Sequence, residues 1–194
     1  MTPEEMSIAI EILHRRVVDA LGITDYTGKS KAIKQVCEVF SNPGPTAGIA
    51  LIGKARSGKT ALLRALKNFI EVIGNIPEAW TYLPEVRDLD CRYVWATEFR
   101  NPITSYEDFK LAIGSPILFI DGLGMETEFR EAQMPSELMN LMIQLRSDYG
   151  FLTIIGSRFD LESLTEIYGE EVGLKLKHGY RFINIDSQKN IDRL

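Results

Sequence analysis

Two glycines five positions apart, followed at once by a lysine and a threonine, carry the clearest chemistry in this chain: Gly53-Lys54-Ala55-Arg56-Ser57-Gly58-Lys59-Thr60. The segment fits the phosphate-loop pattern G-x-x-x-x-G-K-[ST]. Glycines at these places let the backbone curl until successive N–H groups face one anion, and a helix starting at the end of the loop adds the positive end of its dipole. Gly53, Lys54, Ala55, Arg56, Ser57, Gly58, Lys59, Thr60 and Ala61 are therefore the expected nucleotide-contacting residues. Lys59 would neutralise the β- and γ-phosphate oxygens. Thr60 would offer its hydroxyl to Mg²⁺, a cation that keeps several waters and takes few protein ligands. A second acidic group is needed to hold that ion. Asp121 directly follows the apolar run Ile117-Leu118-Phe119-Ile120, so its carboxylate is expected at the carboxyl end of a buried strand, where parallel sheets gather ligand chemistry. The expected metal set is Thr60 and Asp121, the latter through water.

A phosphate loop is credible only between a strand and a helix. Ile49-Ala50-Leu51-Ile52 supplies the strand as a short continuous apolar run after Gly48, and Leu63, Leu66, Ile70 and Ile73 recur at helical spacing until Gly74. Further strands are predicted at Arg92-Tyr93-Val94-Trp95-Ala96, at the run before Asp121, at Thr153-Ile154-Ile155 and at Phe182-Ile183-Asn184-Ile185. Between them lie helical patterns near Tyr106 to Ile113, from Pro135 with Leu138, Leu141, Met142 and Leu145 inward, from Leu161 to Ile167 and from Glu170 to Lys177. Strands alternating with helices give an α/β fold, a five-stranded parallel sheet sandwiched by helices. Before the loop, Thr2-Pro3-Glu4-Glu5 has the elements of a capping box for a helix that Gly22 would end. A second helix after Gly28 presents Ile33, Val36, Cys37 and Phe40 and stops at Ser41-Asn42-Pro43-Gly44-Pro45. The organisation read from this is one domain: residues 1–46 as two helices packed on the core, 47–194 as the nucleotide-binding core, with no C-terminal lid domain evident.

With these residues in place, the chain resembles the DnaC/IstB group of AAA+ ATPases within the P-loop NTPase superfamily, helicase loaders and transposition helper ATPases, from about Gly48 to Asp186. The specific matches are Asp121-Gly122-Leu123-Gly124-Met125-Glu126-Thr127-Glu128, similar to the family's Walker B segment, and Thr153-Ile154-Ile155-Gly156-Ser157-Arg158, similar to its sensor strand. Tyr168-Gly169-Glu170-Glu171-Val172-Gly173-Leu174-Lys175-Leu176 is similar to its tyrosine-glycine motif. The resemblance implies ATP and Mg as cofactors, an ATP-dependent homo-oligomer, and action on single-stranded DNA or on a helicase or transposase in DNA replication or transposition. It also implies roles by position: Arg158 as sensor and Lys175 as a finger reaching a neighbour's phosphate in trans. Three positions depart from the family. Gly122 stands where an acid would polarise the attacking water, Arg158 stands where asparagine is usual, and Lys175 replaces an arginine whose planar fork lysine cannot reproduce. The acid missing at Gly122 makes hydrolysis slow by default. Glu98 is the candidate replacement base if its strand neighbours that of Asp121, with Glu126 and Glu128 next, although turn glutamates usually face solvent.

Composition narrows the setting. There are 22 Lys and Arg against 27 Asp and Glu, a net charge of -5, and 45% hydrophobic residues, an ordinary globular balance that argues against a broadly basic duplex-binding surface. No apolar run is long enough to span a bilayer and the first residues are acidic, so the expected location is cytoplasmic, without membrane. Cys37 and Cys91 are too few for a disulfide framework and read as buried thiols. Two functions compete: an ATPase that turns over, and an ATP-dependent module that assembles on a partner and hydrolyses little. A small-molecule kinase would need an arginine-rich lid that the sequence lacks.

Overall fold

The computed structural model describes residues 2–20, 30–41, 48–74, 91–100, 106–128 and 134–185. The helix α1 (Pro3–Ala20) opens on the expected capping box: Glu5 N–H donates to Thr2 Oγ1 at 3.2 Å, and Thr2 N–H donates to a Glu5 carboxylate oxygen at 2.8 Å. Its expected stop at Gly22, the turn at residues 42–45 and the polar stretch at residues 75–90 lie outside the described residues. After α2 (Ser30–Ser41) come β1 (Gly48–Ile52), α3 (Lys59–Gly74), β2 (Cys91–Trp95), α4 (Tyr106–Gly114), β3 (Ile117–Leu123), α5 (Met134–Tyr149) and β4 (Leu152–Ser157). Helices α6 (Leu161–Tyr168) and α7 (Glu170–Gly179) then lead to β5 (Tyr180–Asn184).

The five strands form one parallel sheet in the order β2-β3-β4-β1-β5. Alternation along β1 explains why both faces are covered. Ile49 and Leu51 join Ile10, Ile33, Val36, Leu62 and Leu66 beneath α1, α2 and α3, while Ala50 faces Phe109, Met142, Leu164 and Val172 of the helices on the other side. No helix among the described residues is long and apolar enough to cross a membrane.

Several boundaries and one face differ from the sequence expectation. β3 runs on through Asp121 to Leu123, so Asp121 lies inside the strand rather than after it, and the pairing with β4 shifts between Asp121 and Leu123. The residue accommodating the shift is Gly122, at φ 77°, a left-handed backbone angle that glycine adopts without a Cβ penalty. Ala96 opens a 3-10 turn, Ala96–Arg100, instead of ending β2, and β5 begins at Tyr180 and ends at Asn184. On α5 the buried face is Met139, Met142, Ile143 and Arg146, whereas Leu141, expected inward, is exposed. Met139 and Met142 thus fill the core, as does the thiol of Cys37, which burial pushes up to about 11.

Candidate functional site

The strand order decides which expected site residues meet. Because β4 lies between β1 and β3, the loop leaving β1 and the carboxylate on β3 flank the carboxyl end of β4. Gly53 N–H donates to Ser157 O at 3.2 Å, tying the start of the loop to that end. Within the loop, Ser57 N–H donates to Lys54 O at 3.2 Å, and Arg56 and Gly58 both take left-handed angles, φ 62° and 94°. Such a conformation costs a non-glycine residue about 1–2 kcal/mol, so Arg56 marks strain held in the loop. Lys59, first residue of α3, turns its ammonium back along the loop, donating to the carbonyls of Gly53 and Lys54, the latter at 2.7 Å, and to Ser57 Oγ at 3.2 Å. Leu62 N–H bonds to Gly58 O, and the donors of the helix turn before it face the loop.

Asp121 is buried, and its pairing residue on β4 is Gly156. A Cβ on Gly156 would come within 3.1 Å of Asp121 Oδ1 and 2.7 Å of Leu63 Cδ1, so glycine lets the carboxylate sit close against β4 and a side chain there would have to displace it or Leu63. Its other oxygen, Oδ2, accepts a 2.7 Å hydrogen bond from the Tyr93 hydroxyl on β2. Burial, and then the Asp121 charge, push the Tyr93 phenol above its ordinary value, while the Arg64 guanidinium offsets part of that. Half-buried Thr60 opens α3 beside Lys59. A hydroxyl and a carboxylate are hard oxygen donors of the kind Mg²⁺ takes alongside water and phosphate, so the residues fit that ion.

The remaining expected residues are placed as follows. Glu98 is exposed on the 3-10 turn after β2, the strand that does neighbour β3, with Trp95 paired to Asp121, and its carboxylate accepts from Trp95 N–H at 3.1 Å. Arg158 follows β4 at the same carboxyl edge, exposed, its guanidinium 4.8 Å from the centre of the Phe159 ring. Lys175 is elsewhere. It forms an ion pair with Asp148, one turn before β4 begins, which puts it toward the amino-terminal edge, opposite the edge that carries the phosphate loop.

Glu126 contradicts the expectation that this turn faces solvent. It is fully buried, accepting from the Tyr168 hydroxyl and, at 3.0 Å, from Gly124 N–H, while Tyr168 O accepts from Asn140 Nδ2 at 2.6 Å. The side chain of Glu128 is not among those described. The network missed from sequence thus fastens the turn after β3 to the end of α6. Burial pushes the Glu126 carboxyl above its ordinary value, and hydrogen bonds from Tyr168, its own backbone and Gly124 oppose that in part. A carboxyl raised in the folded state contributes its full stability below its unfolded value and loses it as pH rises through the folded value. Glu126→Gln, which cannot ionise, is therefore expected to compare better with the parent chain near pH 8 than near pH 4. Urea melts at both pH values check this, and an equal gap at both would contradict it.

Among solved structures the chain is similar to the DnaC helicase loader, at 20% identity and TM-score 0.57 over 79% of this chain and 88% of that one. It is similar to DnaI, at 18% identity and TM-score 0.57 over 88% and 93%. Domain III of the Thermotoga maritima replication initiation protein DnaA matches at 21% identity and TM-score 0.58 over 82% of this chain and 62% of that one. The fold is that of a DnaC-like AAA+ P-loop ATPase. No protein-family model matches the chain, and no curated protein matches it. A DnaA from Aquifex aeolicus bound to AMPPCP shares the AAA+ fold at 14% identity and TM-score 0.59, over 82% of this chain and 47% of that one, so the chain spans about half of that protein's length.

Proposed function

We propose that the chain binds Mg-ATP and acts as an AAA+ module of the DnaC/IstB type in DNA replication or mobile-element transposition, in a cytoplasmic setting. The observation that carries this reading is the placement of the Lys59 loop and Asp121 on either side of the carboxyl end of β4. Lys59 and the loop N–H groups hold the phosphates, Thr60 and Asp121 hold the metal, and Mg²⁺ when bound screens charge on the β- and γ-phosphates. Residues 1–46 serve as an N-terminal helix pair belonging to the same body as 47–194, since Ile10, Ile33 and Val36 share a core with Ile49 and Leu51.

A binding switch with little turnover is favoured by Gly122, whose left-handed backbone angle strains a residue that carries a side chain, and by Glu126, whose carboxylate is committed to Tyr168. ATP then acts by assembling copies of the chain on single-stranded DNA or on a helicase or transposase, with Lys175 facing a neighbour's γ-phosphate. Its exposed partner Asp148 holds it weakly, since a surface pair is worth about 0–1 kcal/mol. Light scattering tests this: oligomers are expected with ATP, fewer with ADP, and fewer with ATP in Lys175→Ala. A monomer at every concentration with ATP and single-stranded DNA both present would overturn the assembly role.

A further inference from the structure

Tyr93 does more than pack. Its ring stacks on Phe119 with centroids 6.4 Å apart, and this apolar work needs no hydroxyl. The hydroxyl nevertheless reaches across to the next strand and donates to Asp121 Oδ2 at 2.7 Å. The opposite oxygen, Oδ1, lies against β4 over Gly156, the strand whose end holds the phosphate loop through Gly53 N–H. The carboxylate is thus gripped from β2 on one side and fitted into a gap in β4 on the other. Left alone, the last torsion of an aspartate is broad and two-fold, and either oxygen could turn toward a cation. A fixed donor on Oδ2 removes that freedom.

Resting on the reading of this edge as an Mg-nucleotide site, we propose that Tyr93 is a positioning residue for Asp121: it takes up Oδ2 and leaves Oδ1 alone to meet a water of the Mg²⁺ ion. A carboxylate with one oxygen already accepting a fixed hydrogen bond favours the one-oxygen manner that suits water-rich Mg²⁺, and capture by both oxygens, which the larger Ca²⁺ accepts, is disfavoured. Outer partners of metal-binding groups are typically worth 10- to 100-fold in metal affinity.

The test is a Mg²⁺ titration of fluorescent ADP binding to the whole chain, beside the same measurement in EDTA and with Ca²⁺ in place of Mg²⁺. Tyr93→Phe keeps the stacked ring and loses one hydroxyl. The Mg²⁺ concentration for half-saturation is expected to rise roughly 10- to 100-fold and the preference for Mg²⁺ over Ca²⁺ to narrow, with the affinity in EDTA as in the parent. In an Asp121→Ala background Tyr93→Phe is expected to add nothing, because the effect runs through that carboxylate. A half-saturation within about twofold of the parent, or an equal shift without Asp121, overturns the proposal. Should the parent chain bind no nucleotide with or without metal, the reading of the loop fails instead.

Discussion

ATP turnover by this chain is expected to stay near the uncatalysed background, with or without single-stranded DNA. A positioned general base contributes about 10² to 10⁴ in rate, or roughly 3 to 5 kcal/mol of barrier, and among the described residues none is in place where the fold would put one. Gly122 is buried in the bulge of β3 at φ 77°. Gly122→Glu, the repair that sequence alone suggests, would add about 1–2 kcal/mol of backbone strain and aim its side chain from a bulged rather than a strand geometry. It is expected not to restore turnover. Glu126 is locked to Tyr168, and Glu98, though on the turn that follows the correct neighbouring strand, is exposed with its carboxylate engaged by Trp95 N–H. Glu98→Gln should therefore leave the residual rate unchanged in a steady-state phosphate-release assay. A robust rate in the parent that falls about 100-fold in Glu98→Gln would instead make Glu98 the base.

The largest loss of stability is expected at Arg146. Its guanidinium is fully buried and meets no carboxylate among the described residues: it donates to the carbonyls of Ala112 at 2.8 Å, Ile113 at 3.0 Å, Ser115 at 2.7 Å and Leu152 at 2.8 Å, and to Thr153 Oγ1 at 2.9 Å. It therefore closes the carboxyl end of α4 and fastens it to the start of β4, fixing how the chain enters β3. Burial lowers the guanidinium to about 10, and it stays charged at neutral pH. Arg146→Leu removes the donors and strands several buried acceptors at about 1–3 kcal/mol each, partly relieved where water reaches the last turn of α4. A loss of more than about 3 kcal/mol is expected, or roughly 6–12 °C in melting temperature for a chain of this size. Arg146→Lys keeps the charge but not the planar fork and should recover only part. Urea unfolding measures both; a loss below about 1 kcal/mol in Arg146→Leu would show that these bonds are readily replaced.

Sequence revealed the elements where two signals agreed. The apolar run before Gly53 and the helical spacing after Thr60 bracket the phosphate loop, and the Thr2–Glu5 cap is a local pattern that needs no distant partner. Spacing sets Met142 and Leu138 inward but misplaces Leu141, because Leu138, Met139, Leu141, Met142, Ile143 and Leu145 nearly encircle α5, and hydropathy places an arginine outside. Packing against Thr153 and the end of α4 turned Arg146 inward. The bulge at Gly122, the contact of Tyr93 with Asp121 and the burial of Glu126 depend on strands and helices far apart in the chain. Local pattern carries no trace of them. Glu126 had one visible clue, its place in a segment that also resembles the family, but nothing in that segment names Tyr168 as its partner.

The central claim is that the loop between β1 and α3 binds Mg-ATP, and the melting temperature with and without ligand tests it most directly. At ATP one hundred times above Kd with Mg²⁺ present, binding to the folded state should stabilise the chain by about 2.7 kcal/mol. For this size that is a rise of roughly 5–11 °C, and Lys59→Ala should abolish it. No shift in the parent chain with any nucleoside triphosphate at millimolar concentration, or an undiminished shift in Lys59→Ala, would contradict the account.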